Sequence, residues 1–165
     1  MCRTLAGSRV DVVTITGSEN EGGKKGLQTL NFVDDGTGSL SVSAANSGGP
    51  TGHFSSEKAA AVAAAREREK KGVLLTARVH PGETNGSWMM RGVLEFLTSE
   101  APEARALRER FVFKIVPMIN VDGVVHGNYR CSMAGCDLNR RYKSPSKWLH
   151  PEVVSLKKLA KMFAK

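Results

Sequence analysis

The hydrophobic and polar positions along the chain alternate between the spacing of strands and that of helices. Three β-branched or apolar runs predict strands: residues 10–16, residues 73–79 and residues 111–118. Three segments of helix-forming composition or periodicity predict helices: residues 86–98, residues 102–109 and residues 151–164. Strands separated by helices indicate an α/β domain whose sheet is at least partly parallel, with right-handed crossover connections.

The apolar spacing in two of these helices predicts which face of each is buried. Apolar residues that recur every three or four positions lie on one side of a helix. The predicted core face of the first helix is Met89, Val93, Phe96 and Leu97. The predicted core face of the last helix, which begins at Pro151, is Val153, Leu156, Ala160 and Phe163.

Residues 17–71 differ from the rest of the chain. Residues 17–52 hold 9 of the 17 glycines and many polar residues, which is typical of a flexible insertion or long loop. Residues 57–71 are strong helix formers, with Ser55 and Ser56 as candidate N-caps. We interpret the whole stretch as a surface insertion and assign it no function.

The chain of 165 residues is long enough for one domain, and it contains no apolar run that would span a membrane. The N-terminus lacks the continuous apolar region of a signal peptide. The 3 cysteines are too few for a disulfide framework. These features favour a reducing compartment, and the expected location is cytoplasmic.

The net positive charge of the chain comes entirely from its last 65 residues. Residues 1–100 hold 11 basic and 11 acidic side chains, whereas residues 101–165 hold 13 basic and 5 acidic ones. Such a field attracts nucleic acid, an acidic protein tail or a phosphorylated ligand, and a solvated basic face without a partner accounts for it equally well. Aromatic residues make up only 6%, which argues against a nucleic-acid stacking platform.

Two polar clusters follow the predicted strands. The first is His80-Pro81-Gly82-Glu83, in which an imidazole nitrogen and a carboxylate oxygen can share one zinc ion. The alternative for this pair is a turn with a surface histidine and a glutamate that benefits from a helix dipole. The second cluster carries Arg130, Asn139 and Arg140, whose donors suit an anionic group. The alternative for it is a basic, solvent-facing loop.

Taken together, the two clusters resemble a known family. The runs ARVHPGETNGSWMMRGVLEFL and FVFKIVPMINVDGVVHGNYRCSMAGCDLNRRY resemble the catalytic domain of zinc metallocarboxypeptidases, and most of all the tubulin-deglutamylating cytosolic carboxypeptidases. The resemblance covers residues 1–16 and 72–165. It implies part of a three-layer α/β/α domain with a mixed, partly parallel sheet, here a partial peptidase domain over residues 1–165.

The resemblance also implies roles for individual residues. His80 and Glu83 match two of three zinc ligands, and Arg130 matches the arginine that polarises the scissile carbonyl. Asn139 and Arg140 match the pair that binds the free C-terminal carboxylate of the substrate. The implied function is removal of C-terminal residues, expected to be acidic ones such as glutamate, from proteins such as tubulin. One zinc ion is the implied cofactor.

The chain also departs from the family pattern. The third zinc ligand, the general-base glutamate and the substrate-capping tyrosine of the family lie beyond the matched segment, so we expect the third ligand beyond residue 165. The other histidines, His53, His126 and His150, do not match it. We therefore expect this chain to be a fragment that is inactive alone and prone to aggregate through an uncovered sheet edge.

Two further hypotheses stay open at this point. Cys131 and Cys136, with His126 or His150, would form a second zinc site, although reduced thiols in a loop account for them more simply. The chain would alternatively be a noncatalytic basic module that binds acidic protein tails or nucleic acid. Loss of binding specific to free C-termini on mutation of Arg140 would distinguish the carboxypeptidase from such a module.

Overall fold

A small mixed sheet lies between helices. The computed structural model describes residues 1–17, 31–34, 40–43 and 70–163, and for residues 31–34, 40–43 and 163 the backbone alone. Its strands are β1 (Cys2–Arg3), β2 (Arg9–Val10), β3 (Val13–Ile15), β4 (Asn31–Asp34), β5 (Leu40–Ser43), β6 (Lys71–Thr76) and β7 (Phe111–Val116). Its helices are α1 (Asn85–Thr98), α2 (Pro102–Arg110), α3 (Val121–Val125) and α4 (Pro151–Phe163), with a 3-10 turn at Leu138–Arg140.

The central strand of the three-stranded sheet is β7. It pairs antiparallel with β3, where Val13 lies opposite Ile115, and parallel with β6, where Val73 lies opposite Phe113. The remaining described strands form two antiparallel pairs, β1 with β2 and β4 with β5. The parallel pairing of β6 with β7 confirms the predicted mixed, partly parallel sheet of an α/β fold.

Each face of the sheet is covered by a different helix. On one face, Phe113 and Ile115 of β7 pack with Met90 and Leu97 of α1. On the other face, Val116 packs with α4 residues and with the N-terminal segment, in a core of Val10, Val12, Val116, Ile119, Leu138, Val153 and Leu156. Full burial of a side chain of this size contributes about 1.5–3 kcal/mol. The two cores give the three-layer arrangement that the resemblance implied.

The buried face of α1 agrees in part with the predicted one, because Val93 and Leu97 pack in the core as expected. Met90 and Leu97 are buried, whereas Met89 is 70% exposed and Phe96 42% exposed. Apolar residues form two adjacent stripes on this helix, and the position of the sheet decides which of them is covered. In α4 the buried positions Val153 and Leu156 agree with the prediction. Leu159 packs on the core in place of exposed Ala160, and the side chain of Phe163 lies outside the described residues.

The three predicted helices are confirmed, but the bounds of all three predicted strands were wrong, and β7 ends at Val116 rather than at residue 118. The first predicted strand divides into β2 and β3, and β6 runs from Lys71 to Thr76 rather than over residues 73–79. Lys71 therefore belongs to the sheet rather than to the predicted helix over 57–71, and the rest of that helix, with Ser55 and Ser56, lies outside the described residues. Strands β4 and β5 within the predicted insertion were not expected from its composition.

The two ends of the predicted insertion meet at one place. The ammonium of Lys70 donates to the carbonyl of Gly17 (2.6 Å), to the hydroxyl of Thr16 (3.1 Å) and to the carbonyl of Arg108 (3.2 Å). The N–H of Gly17 also donates to the carbonyl of Arg108 (2.8 Å). The chain thus leaves the sheet and returns to it between neighbouring points, as a looped-out insertion requires.

A buried carboxyl group, that of Glu152, lies in the first turn of α4 near Asp122. Glu152 is 3% exposed, and its Oε2 has no hydrogen-bond partner among the described residues. Burial raises the pKa of Glu152; its own backbone N–H opposes this, and the nearby Asp122 adds to the rise. Asp122 is itself held by the hydroxyl of Thr4 (2.5 Å) and the N–H of Ala6 (2.9 Å). Glu152 therefore keeps its proton to a higher pH in the folded chain than in the unfolded one.

The raised pKa of Glu152 predicts that the stability of the fold depends on pH. Because the folded-state pKa of Glu152 is raised, the free energy of unfolding should fall as pH rises from the ordinary glutamate value of about 4.3 to the raised one. Glu152→Gln should abolish that part of the decline and be more stable than the wild type at higher pH. Denaturant unfolding from pH 4 to 8 measures this effect, with exposed Glu103→Gln as control. Equal slopes in the wild type and Glu152→Gln would contradict the prediction.

Candidate active site

The segments that follow β6 and β7 continue to pair beyond the sheet. The N–H of Ala77 donates to the carbonyl of Val116 (3.1 Å), and the N–H of Asn120 donates to the carbonyl of Arg78 (3.0 Å). The side-chain amide of Asn120 donates to the carbonyl of Val79 (3.3 Å). The carboxyl ends of parallel strands meet at one edge of a sheet, where ligands bind in open α/β folds. The two polar clusters are therefore brought to the same edge.

The turn of residues 80–83, hereafter the HPGE turn, also contacts the loop that carries Arg130. The N–H of Gly82 donates to the carbonyl of Tyr129 (2.7 Å). A Cβ on Gly82 would collide with the ring of Tyr129 and lie 2.8 Å from its carbonyl oxygen. Glycine is required here because the two backbones approach closely. Arg130, the next residue, is thereby held beside the HPGE turn.

His80 is the centre of a hydrogen-bonded chain of side chains. It is 7% exposed; its Nδ1 lies 2.9 Å from Oε1 of Glu83, and its Nε2 lies 3.1 Å from Oδ1 of Asp137. The other oxygen of Asp137 accepts from Nε of Arg130 (2.9 Å) and lies 2.9 Å from its Nη2. The structure thus brings His80, Glu83 and Arg130 together through Asp137.

Asp137 is the anionic centre of this chain. Partial burial alone would raise the pKa of its carboxyl group. The N–H of Asn139, the ring of His80 and the guanidinium of Arg130 outweigh that effect, and the pKa is lowered. Asp137 also caps the 3-10 turn, because its Oδ1 accepts from the N–H of Asn139 (2.9 Å). One carboxylate therefore orients His80, Arg130 and the start of the turn together.

Asn139 and Arg140 lie on this turn and face solvent. Both residues are exposed, while Leu138 between Asp137 and Asn139 is fully buried in the core below α4. The guanidinium of Arg140 donates to the carbonyl of Asn139 (3.5 Å). Buried Leu138 fixes the turn, and the amide and guanidinium groups beside it stay accessible to an anionic ligand.

The donor atoms of the HPGE turn fit part of a zinc site. With Nε2 of His80 held by Asp137, Nδ1 is the nitrogen that can bind a metal, and a carboxylate partner of this kind orients metal-binding histidines. Glu83 provides an oxygen on the Nδ1 side of the ring. Asp137 lies on the opposite side and cannot share the ion. Among the described residues, no three His, Cys, Asp or Glu side chains form a group that could hold a metal.

Sequence reasoning assigned no role to Asp137 or Arg78. The sequence offered one signal for Asp137, because it is an acidic residue among basic neighbours and precedes a turn. Arg78 showed none, because its contacts form only on folding. The hypothetical cysteine site gains no support, since Cys131 and Cys136 are both half-buried free thiols and Cys136 donates to the carbonyl of Ala134 (3.4 Å).

Comparison with known sequences places the chain in a family. The zinc carboxypeptidase family, Peptidase_M14, matches residues 1–159. The chain therefore belongs to the zinc carboxypeptidase family. None of the helices in the described part of the chain combines the length and the apolar character needed to cross a membrane.

Relatives within this family are cytosolic carboxypeptidases. The chain is 66% identical over 80 residues to cytosolic carboxypeptidase 2 of Danio rerio, which covers 48% of this chain and 11% of that protein. It is 56% identical over 97 residues to cytosolic carboxypeptidase 1 of Homo sapiens, covering 59% of this chain and 8% of that protein. The chain thus spans about a tenth of the length of these relatives.

Solved structures of bacterial metallo-carboxypeptidases share the fold. One from Burkholderia cenocepacia is 39% identical with a TM-score of 0.54, over 56% of this chain and 26% of that one. Another, from Pseudomonas aeruginosa in complex with (2-guanidinoethylmercapto)succinic acid, is 35% identical with a TM-score of 0.55, over 58% of this chain and 26% of that one. The sheet edge with its polar loops therefore belongs to a metallo-carboxypeptidase type of domain.

Proposed function

We propose that this chain forms the part of a zinc carboxypeptidase that contributes two metal ligands, a carbonyl-polarising cation and a carboxylate clamp. The observation that carries the proposal is the hydrogen-bonded series of side chains Glu83–His80–Asp137–Arg130. Its contacts of 2.9–3.1 Å join the two polar clusters. His80 and Glu83 would hold zinc, with a further ligand from outside the described residues. A zinc ion bound there acts as a Lewis acid on a peptide carbonyl.

The residues of this chain would bind and orient the substrate. Arg130 uses Nε and Nη2 for Asp137, so its remaining donors face a substrate oxygen and stabilise negative charge that develops on it. Asn139 and Arg140 would bind the terminal carboxylate, since an amide and a guanidinium fork match its two oxygens. A clamp on a free C-terminus restricts cleavage to the last peptide bond and makes the activity that of an exopeptidase.

We further propose acidic protein C-termini, such as the polyglutamate side chains on tubulin, as substrates in the cytoplasm. The loop from residue 126 to residue 150, hereafter the basic loop, exposes Arg130, Arg140, Arg141, Lys143 and Lys147 and contains one acidic residue, Asp137. Since Asp137 already neutralises Arg130, the net field of the loop favours anionic peptides. The cytosolic names of the relatives support the same location and protein substrates.

Zinc calorimetry tests the metal site. We expect tight binding to this chain extended through its downstream coding sequence, weak binding to the 165-residue chain, and loss of binding in His80→Ala. His126→Ala is the matched control, because His126 is exposed and lies outside the hydrogen-bonded chain. Zinc binding that survives His80→Ala would refute the assigned ligand.

Peptide binding tests the carboxylate clamp. Peptides ending in glutamate, with a free or an amidated C-terminus, should differ in affinity for the wild type, and Arg140→Ala should remove that difference. Arg91→Ala, which removes an exposed arginine from α1, is the control for charge alone. A loss equal for both peptides and dependent on salt would favour a noncatalytic basic module instead.

A further inference from the structure

Arg78 adopts an unusual backbone conformation two residues before His80. Its φ is 54°, and it is the one residue other than glycine with a positive φ in the described part of the chain. Non-glycine residues avoid this region, and they persist there where surrounding contacts enforce the conformation, most often at functional sites. A glycine would adopt the same backbone conformation without strain. We therefore expect contacts of the Arg78 side chain to offset the strain of its positive φ.

The side chain of Arg78 reaches across the HPGE turn. Its Nε donates to the carbonyl of Pro81 (3.1 Å), and its Nη2 donates to the same oxygen. Its Nη1 donates to the hydroxyl of Ser87 in the first turn of α1 (2.6 Å). The guanidinium is half-buried, and no carboxylate among the described residues forms an ion pair with it. The guanidinium of Arg78 therefore donates to a backbone carbonyl and a hydroxyl rather than to a carboxylate.

These contacts bracket the two donors of the proposed zinc site. Pro81 lies directly after His80 and two residues before Glu83, and Ser87 lies four residues after Glu83. The carbonyl of Arg78 itself accepts from the N–H of Asn120, which ties the same residue to the neighbouring strand end (3.0 Å). Arg78 thus connects the HPGE turn both to the end of the sheet and to α1, the two elements that flank the turn.

We propose that Arg78 is a positioning residue that holds the HPGE turn so that His80 and Glu83 face one metal ion. This rests on the proposed function, and it assigns to Arg78 a part that lysine cannot replace. The planar fork of arginine donates to Pro81 from Nε and Nη2 and to Ser87 from Nη1, whereas an ammonium group must reach every acceptor from a single nitrogen. Groups hydrogen-bonded directly to metal ligands typically change metal affinity by about 10–100-fold, and we expect an effect of this order from Arg78, transmitted through the backbone of the HPGE turn.

Hydrogen exchange of the wild type, Arg78→Lys and Arg78→Gly tests the proposal on the 165-residue chain without metal. We expect the amide of Gly82, bonded to Tyr129, to exchange about tenfold faster or more in both variants, while amides of β7 are unchanged. Arg78→Gly is decisive because it relieves the backbone strain and removes only the side-chain contacts. Arg91→Lys, on the exposed side of α1, is the control.

Zinc affinity is measured on the same variants. They are made in the 165-residue chain or in the extended chain, according to which of the two binds zinc through His80. Both Arg78 variants should bind about 10–100-fold more weakly at an unchanged thermal midpoint, a pattern that a general loss of stability would not produce. Wild-type exchange at Gly82, or zinc affinity within twofold of the wild type, overturns the proposal. If no form binds zinc through His80, the proposed function fails instead, and the exchange rates alone decide whether Arg78 holds the turn.

Discussion

Asp137→Ala is expected to lower the free energy of unfolding by roughly 2–3 kcal/mol, because hydrogen bonds to a charged group contribute about 1.5–3 kcal/mol. The substitution leaves Nε2 of the buried His80 without its partner and frees Arg130. It also removes the carboxylate that accepts a hydrogen bond from the N–H of Asn139 at the start of the 3-10 turn. Denaturant unfolding of the two proteins at neutral pH measures the difference.

The effect of Asp137→Ala should depend on pH. Since the pKa of Asp137 is lowered in the folded chain, its contribution is complete above the ordinary aspartate value of about 3.9 and is lost as pH falls through the lower folded value. The gap between wild type and variant should therefore narrow in acid. Asp11→Ala is the control, because the ion pair of Asp11 with Arg9 is on the surface and its loss should change stability by about 0.5 kcal/mol or less. Equal effects of the two substitutions would contradict a central role for Asp137.

Gly123→Ala is expected to destabilise the fold by about 1–3 kcal/mol through overpacking. A Cβ at Gly123 would lie 2.5 Å from Cγ of Pro81 and 2.6 Å from Oδ1 of Asn120. Asn120 is 1% exposed and caps α3 by accepting from the N–H of Gly123 (3.0 Å), so it has no free direction in which to move. Relief therefore requires the HPGE turn to shift, which would separate His80 from Asp137.

Gly92→Ala is the matched control for Gly123→Ala. Gly92 lies inside α1, and a Cβ there would meet nothing within 4 Å. Alanine in a helix interior is favoured over glycine by about 0.5–1 kcal/mol, so this variant should be more stable than the wild type. Thermal and denaturant unfolding of the two variants should thus change in opposite directions. A Gly123→Ala variant as stable as the wild type, with an unshifted HPGE turn, would refute the packing argument.

Local patterns predicted the helices better than the faces they bury. Pro102 and Pro151 marked the first residues of α2 and α4, because proline suits a position whose N–H needs no intrahelical partner. The buried face of α1 was not predictable, since Met89 and Met90 are neighbours and equally apolar. Which of the two is covered depends on where the sheet lies, and that is decided by contacts distant in sequence.

The candidate site shows the same division. The residue types of His80, Glu83, Arg130, Asn139 and Arg140, together with the resemblance, predicted a metal and carboxylate site at the ends of two strands. The sequence alone did not reveal that Asp137 connects His80 to Arg130, since the two bonds join residues 57 and 7 positions apart along the chain. Hydrogen bonds of this kind leave no periodic trace in a sequence.

By itself, the sequence indicated the three long helices and the strands of the central sheet, the residues of the two polar clusters, and the excess of basic residues after residue 100. These depend on residue type and on spacing along the chain, which are local quantities. Tertiary structure alone decided the side of α1 that is buried, the bracing of the HPGE turn by Arg78 and the place of Asp137 between the clusters. Each of these depends on directions and distances between side chains that spacing along the chain does not specify. The parallel pairing of β6 with β7 brings the two clusters to one edge of the sheet.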